Sequence, residues 1–319
     1  MNALSELLPD FVFMGASGSD WLGTGLIGIL GFALGFALNR GSICTVIATA
    51  DLVARRRPAR SVALLESALW AALVYALLNI SPFMPEGWLP VGYLVAGTVL
   101  FAVGSYVNGA CVFGSVGHFG NGDIEFALVF VGIFIVTYIE PLTRLLPAQP
   151  PLSMSLPGGV LPLVAVLALL VLARLVVTRR EDKNFALLSL TMAAVGLTFA
   201  LLATLTPLFS ITASIETVVS VPVAGVVTIA GMSLGSVASA VLRERRFTIK
   251  WPTWHGTLWH LGGGILMGLG AVLIPGGNDT LLLVGFPGAA WQAFLSYALL
   301  VAVLAALIAA FGTRARAWA

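Results

Sequence analysis

Gly97-Thr-Val-Leu-Phe-Ala-Val-Gly104-Ser-Tyr-Val-Asn-Gly-Ala-Cys111-Val-Phe-Gly114 is an apolar run that stops at glycine and places a cysteine just beyond the stop. The pattern occurs earlier as Gly31-Phe-Ala-Leu-Gly35-Phe-Ala-Leu-Asn-Arg-Gly-Ser-Ile-Cys44. It returns, altered, as Gly263-Gly-Ile-Leu-Met-Gly-Leu-Gly270-Ala-Val-Leu-Ile-Pro-Gly-Gly277-Asn278. Gly97, Gly104 and Cys111 share their spacing of seven and seven with Gly263, Gly270 and Gly277, so the third copy carries glycine where the second carries sulfur.

The surrounding composition decides the class. The chain is 59% hydrophobic and 9% charged, with a mean hydropathy of +1.02, whereas a soluble domain carries about 25% charged residues. An integral membrane protein is expected, in which many of the 35 glycines serve close helix packing or breaks. No basic stripe interleaved with aromatics supports nucleic-acid binding. The first residues lack the basic region and cleavage site of a signal peptide. Two cysteines 67 positions apart fit neither a disulfide scaffold nor a zinc site, and no metal or cofactor constellation is present.

Apolar runs close to the ~20 residues needed to span a bilayer fall at 20–39, 61–80, 91–109, 124–139, 158–177, 185–205, 218–242, 257–275 and 289–311. Between them, 41–54, 110–122 and 276–288 are too short to span and too apolar for free loops, and read as re-entrant half-helices. The fold expected is all-α: one integral membrane domain over 1–319, about nine transmembrane helices plus the half-helices. All of the 16 basic residues except Arg40 and Arg144 fall in four clusters: Arg55 to Arg60, Arg174 to Lys183, Arg243 to Lys250, and Arg314 with Arg316. Nine alternating spans put all four on one face, which the positive-inside rule makes cytoplasmic. The N-terminus, with Glu6, Asp10 and Asp20, then lies outside, as do the loops around Glu86, Glu140 and Glu216.

In this topology the spans at 91–109 and 257–275 run in opposite directions. Related segments of opposite direction imply an inverted repeat, over about 28–120 and 225–288, with a substrate site near the midplane. Gly31-x-x-x-Gly35 also echoes Gly231-x-x-x-Gly235, on spans of the same direction, which reads as ordinary close packing.

Few residues are left to carry chemistry. Cys44 and Cys111 each sit at the start of a half-helix, where free amides and the helix dipole favour an anion or a thiolate; each is equally a small buried hydrophobe. Gly109 and Gly276 precede two of the half-helices, and Gly277 leaves bare amides where a thiol is missing. Asn278 or Asp279 reads as the cap of a half-helix beginning at Thr280, or Asp279 as an ionisable group at membrane depth. Arg40, four positions before Cys44, attracts an anion or snorkels to the cytoplasmic face. His118 lies two turns beyond Cys111 if that stretch is helical and otherwise reads as a surface or capping residue. His255 and His260 flank Trp259 near the inner interface.

Through these segments the chain resembles the YeeE/YedE family, a sulfur transport family that includes thiosulfate importers. The resemblance rests on Gly31 to Cys44, Gly104 to Gly114 and Gly263 to Asn278, and spans most of the chain. It implies a multi-pass protein of the bacterial inner membrane that takes up a small sulfur-containing anion, thiosulfate above all. It further implies cysteines along a central path that meet the ion transiently, a role carried to Cys44 and Cys111, while a third cysteine expected by the family is replaced by Gly277. A cysteine at 277 is expected to be tolerated sterically. A soluble sulfur-carrier protein at the cytoplasmic face is the partner the resemblance suggests. No phosphate-binding loop is present, so no ATP hydrolysis and no enzyme activity is expected. The alternatives are an intramembrane thiol–disulfide oxidoreductase, which lacks a Cys-x-x-Cys pair here, and a non-transporting subunit of a sulfur-transfer assembly.

Overall fold

The computed structural model describes residues 21–84, 86–138, 146–147, 149–154, 160–178, 185–206, 209–212, 218, 222–244 and 248–313. The expectations for Glu6, Asp10, Asp20, Glu140, Glu216, Arg144 and the clusters' Arg179, Arg180, Lys183, Arg245, Arg246, Arg314 and Arg316 lie outside the described residues.

The described residues are mostly helical. In order it forms α1 (Trp21–Arg40), α2 (Thr45–Arg55), α3 (Ala59–Leu78), α4 (Val91–Asn108), α5 (Val112–Gly120), a 3₁₀ turn (Ile124–Phe126) leading into α6 (Ala127–Thr137), and α7 (Val160–Thr178). Then come α8 (Phe185–Leu205), α9 (Pro222–Glu244), α10 (Trp254–Leu273), α11 (Asn278–Thr280, prolonged by a π-helical turn over Leu281–Gly285) and α12 (Trp291–Phe311). A two-residue ribbon pairs Phe83 with Ser153 and Met84 with Leu152, antiparallel.

Seven stretches among the described residues are long and apolar enough to cross a membrane, Trp21–Arg55 and Val91–Gly120 each combining a long helix with the short one after it. The spans expected at 124–139 and 158–177 form shorter apolar helices. A helix of ~20 residues is ~30 Å long, the thickness of a bilayer core. The outer surface is correspondingly apolar: Ile29, Leu161, Leu190 and Leu242 are exposed, and Trp21, Trp254 and Trp291 stand exposed at helix starts, as interfacial anchors do.

Small residues set the helix pairing. On α1, a Cβ at Gly31 or Gly35 would strike the Thr228 and Met232 backbone of α9, while one at Gly231 or Gly235 would strike Gly28 and Phe32 of α1. Partner numbers rise together, so these helices are parallel. Between α4 and α10, Gly97 meets Gly270 and Gly104 meets Gly263, so those helices are antiparallel. Both directions agree with the topology read from the charges.

The breaks follow from the residues at them. Gly109 closes α4 in the left-handed region at φ 79°, which a residue without Cβ adopts freely. Pro275 follows the end of α10, and Gly276 turns the chain at φ 100°. Of the basic clusters, Arg55 and Arg60 are tied to Asp51, at 2.8 and 3.3 Å. Arg174, counted with the second cluster, is buried and ion-paired to Glu66 of α3.

Candidate functional site

Cys44 and Cys111 are the residues immediately before α2 and α5, both in extended backbone conformations. Neither side chain caps its own helix. Each sulfur instead receives an amide from the other's segment: the Thr45 N–H donates to Cys111 Sγ at 3.2 Å, and the Cys111 N–H donates to Cys44 Sγ at 3.4 Å. Two half-helices that lie 67 residues apart in sequence are thus crossed through their thiols, and both cysteines are buried and free. The tightness of this crossing explains Gly114, where a Cβ would fall 2.7 Å from Cys44 Sγ. A sulfur that accepts an N–H keeps its S–H available to donate.

The surrounding elements hold α5 rigidly. The Asn39 side-chain amide donates to the Gly117 carbonyl at 2.9 Å, and the Ser236 hydroxyl donates to the Val116 carbonyl at 2.8 Å. At its start, Asn108 donates to the Ala110 carbonyl at 2.7 Å and to Ser115 Oγ at 3.0 Å.

The third half-helix joins the same place. The Asn278 side-chain amide donates to Thr45 Oγ1 at 3.2 Å, so residues beside Cys44, Cys111 and Gly277 converge. Capping by Asn278 or Asp279 does not occur: α11 begins at Asn278, with Gly277 before it and no side-chain cap. Asp279 has a different task. One carboxylate oxygen accepts from the Ser210 hydroxyl at 2.8 Å and from the Ile211 and Thr212 amides at 2.6 and 3.2 Å; the other accepts from the Thr212 hydroxyl. Four donors fix the segment after α8 against α11, which leaves this carboxylate little capacity for a transient cation.

Gly277 is occupied space. A Cβ there would lie 1.9 Å from Thr212 Oγ1, so the steric tolerance expected for a cysteine does not hold. Where the resemblance places a third thiol, this chain presents the hydroxyl of Thr212. Gly276 supplies the positive-φ turn ahead of it. Arg40 ends α1 half-buried, and its Nη1 is buried with no hydrogen-bond partner.

His118 and His260 are not surface residues. His118 lies in α5, two turns beyond Cys111, buried against Phe126 with ring centroids 4.2 Å apart; Phe126 in turn packs on His260, also at 4.2 Å. His118 Nδ1 is 3.3 Å from Asp123, which Lys250 pairs at 2.7 Å. Partial burial works against the Asp123 carboxylate, but the bonds from His118 and Lys250 outweigh it and hold its pKa below the usual value. Sequence reasoning missed Thr45, Asn108, Thr212 and Glu125 entirely. Only Thr45 and Asn108, beside the Cys44 and Gly109 breaks, carried a positional signal.

A cavity of 210 Å³ lies between α5, α6 and α9, lined by Val116, Phe119, Ala127, Phe130, Ile229, Met232 and Ser233, and neither cysteine lines it. Among the described residues no group of three His, Cys, Asp or Glu is placed to hold a metal ion.

No curated protein matches the sequence. The family model described as sulphur transport matches it over residues 40–189 and again over 164–308. Those matches take in Cys44, Cys111, the Gly277 turn and nearly every helix that positions them, and the chain belongs to the sulphur transport family.

Proposed function

We propose that the protein takes up a small sulfur-containing anion, thiosulfate, across the bacterial inner membrane, through a path that passes the crossed half-helices. The observation that carries this reading is the pair of thiol–amide bonds between Cys44 and Cys111. Each sulfur accepts an amide proton and can donate its own S–H, which suits the terminal sulfur of the ion. Each amide that lets go of its thiol becomes a donor at a helix start, where an anion is favoured. Gly109 and Gly276 permit the turns, Gly277 and Asn278 bring the third half-helix alongside, Asp279 locks it, and Arg40 attracts the ion. The substrate contacts are the two thiols; at the third position the Thr212 hydroxyl, which donates to Asp279, fills the space of the missing sulfur.

In this reading nine spans put the N-terminus outside and the C-terminus in the cytoplasm, where a soluble sulfur-carrier protein would receive the ion. The protein works as a transporter without catalysis, and the inverted repeat relates 28–120 to 225–288. The antiparallel pairing of Gly97 with Gly270 and Gly104 with Gly263 supports that repeat, because exchanging the two copies maps each contact onto the other.

The test is uptake of ³⁵S-thiosulfate in cells lacking other importers, with growth on sulfate, sulfite and selenite compared alongside. Cys111→Ala is expected to abolish uptake, since it removes the sulfur that accepts the Thr45 N–H, the shorter of the two thiol–amide bonds. Cys44→Ala, which removes the acceptor of the longer bond from the Cys111 N–H, is expected to weaken it. Wild-type uptake by both variants would sink the thiol path.

A further inference from the structure

Asn108, at the end of α4, has an amide whose orientation is set by its neighbours. Its Nδ2 faces the Ala110 carbonyl at 2.7 Å, and a carbonyl only accepts. The Asn108 Oδ1 is therefore the atom 2.6 Å from His260 Nδ1, and Nδ1 must carry a hydrogen. That fixes the imidazole. Its other nitrogen, Nε2, faces Glu125 Oε1 at 3.6 Å. In a neutral ring Nε2 would turn a lone pair toward a carboxylate; one proton on it makes the contact an ion pair. The remaining Glu125 oxygen accepts from the Thr253 N–H at 3.3 Å, at the start of α10, a position that favours the ionised carboxylate. On the other side, Asn108 donates to Ser115 Oγ, and Ser115 donates to the Cys111 carbonyl at 3.1 Å. One hydrogen-bonded chain thus runs from the Cys111 turn through Ser115 and Asn108 to His260, whose far nitrogen faces Glu125 at ion-pair distance.

We propose that His260 and Glu125 form a proton-binding site that couples anion binding at the Cys111 half-helix to uptake of one proton. This rests on the transport reading above. Without the proton, the pair carries a net negative charge beside the half-helix that must receive an anion; with it, the pair is neutral. Anion and proton therefore strengthen each other's binding by the same factor. The remaining charged groups around His260 do not cancel this effect. His118 of α5 lies across the Phe126 ring and faces Asp123, and Asp123 has Lys250 as its own cation. Tyr106 of α4 donates to the Gly312 carbonyl at 2.9 Å, α6 contains no titratable side chain, and His255 of α10 is exposed.

The experiment uses the purified full chain in vesicles, with the membrane potential clamped at zero and ³⁵S-labelled thiosulfate and sulfite assayed separately. A one-unit pH gradient, acid on the loading side, is expected to drive about tenfold accumulation of the transported anion, the equivalent of one proton per ion. Equal pH gives equilibration only. His260→Gln keeps a donor for Asn108, and Glu125→Gln removes the counter-charge; each is expected to transport without accumulation. On the wild-type protein, ¹⁵N-histidine NMR is expected to show the His260 Nε2–H persisting to higher pH when the transported anion saturates the protein. Uptake that ignores the pH gradient overturns the coupling while leaving the transport reading intact, and so does anion binding that leaves the histidine titration unmoved. Uptake of neither anion under any gradient overturns the transport reading and the coupling with it.

Discussion

At the scale of single residues, Gly277 shows how an absent side chain can be a filled site. The Thr212 hydroxyl stands where a Cβ would go, and Asp279 holds that hydroxyl in place. Gly277→Cys must push aside a hydrogen-bonded neighbour. It is expected to cost about 1–3 kcal/mol, the range for an overpacked core, read as a lower melting temperature in detergent. Thr212→Gly in the same chain should recover part of the loss. Failure of Gly277→Cys to destabilise would mean that Thr212 yields freely. The missing sulfur was legible from the spacing of seven and seven, but its replacement was not. Thr212 arrives from a connection 65 positions earlier, and no local pattern links it to Gly277.

At the scale of elements, what the chain's punctuation could say was largely correct. Glycine and proline end α4 and α10 where they must, because a positive φ or a missing N–H stops a helix, whereas after α1 it is Ser42 that takes the left-handed region, at φ 47°. α5 and α11 fall inside the stretches read as too short to span, and α2 runs one residue past its stretch. Pairing is harder to read, since GxxxG marks a packing face without naming its partner. The α1–α9 contact offers a clean test. A Cβ at Gly35 would sit 1.9 Å from the Met232 carbonyl, whereas one at Gly25 meets nothing within 4 Å. Gly35→Ala is expected to destabilise by about 1–3 kcal/mol, and Gly25→Ala to stay within about 0.5 kcal/mol of wild type, compared by thermal melting in one detergent. Equal effects would show that this helix pair tolerates separation.

At the scale of the whole molecule, a bundle with an apolar exterior keeps its rare charges for specific contacts. Arg174 joins Glu66, which also accepts from Ser189 and from the Trp70 indole at 3.4 Å, so α3, α7 and α8 meet at one ion pair. Sequence reading placed Arg174 with its neighbours in one cluster on the cytoplasmic face, because charge counts do not reveal which member turns inward. Removing one partner leaves the other buried and unpaired. Glu66→Leu or Arg174→Met alone is expected to cost about 3–5 kcal/mol, while the double replacement should lie close to wild type. A double variant as unstable as either single one would show that the pair contributes net stability. The crossing of the half-helices was invisible for the same reason, since contacts between residues 67 positions apart leave no local periodicity.

The α1–α9 seam has a consequence for biosynthesis. Gly31 and its counterpart Gly231 are separated by 200 positions of chain. At roughly 5–20 residues per second, the ribosome needs about 10–40 seconds to supply the second helix after the first has been made. Throughout that interval the small-residue face of α1 is held in lipid or by another early helix, while Cys44 and Cys111 are both already available to cross. The two thiols thus enter the membrane well before the seam's second half, and the third half-helix, with Asn278, follows later still.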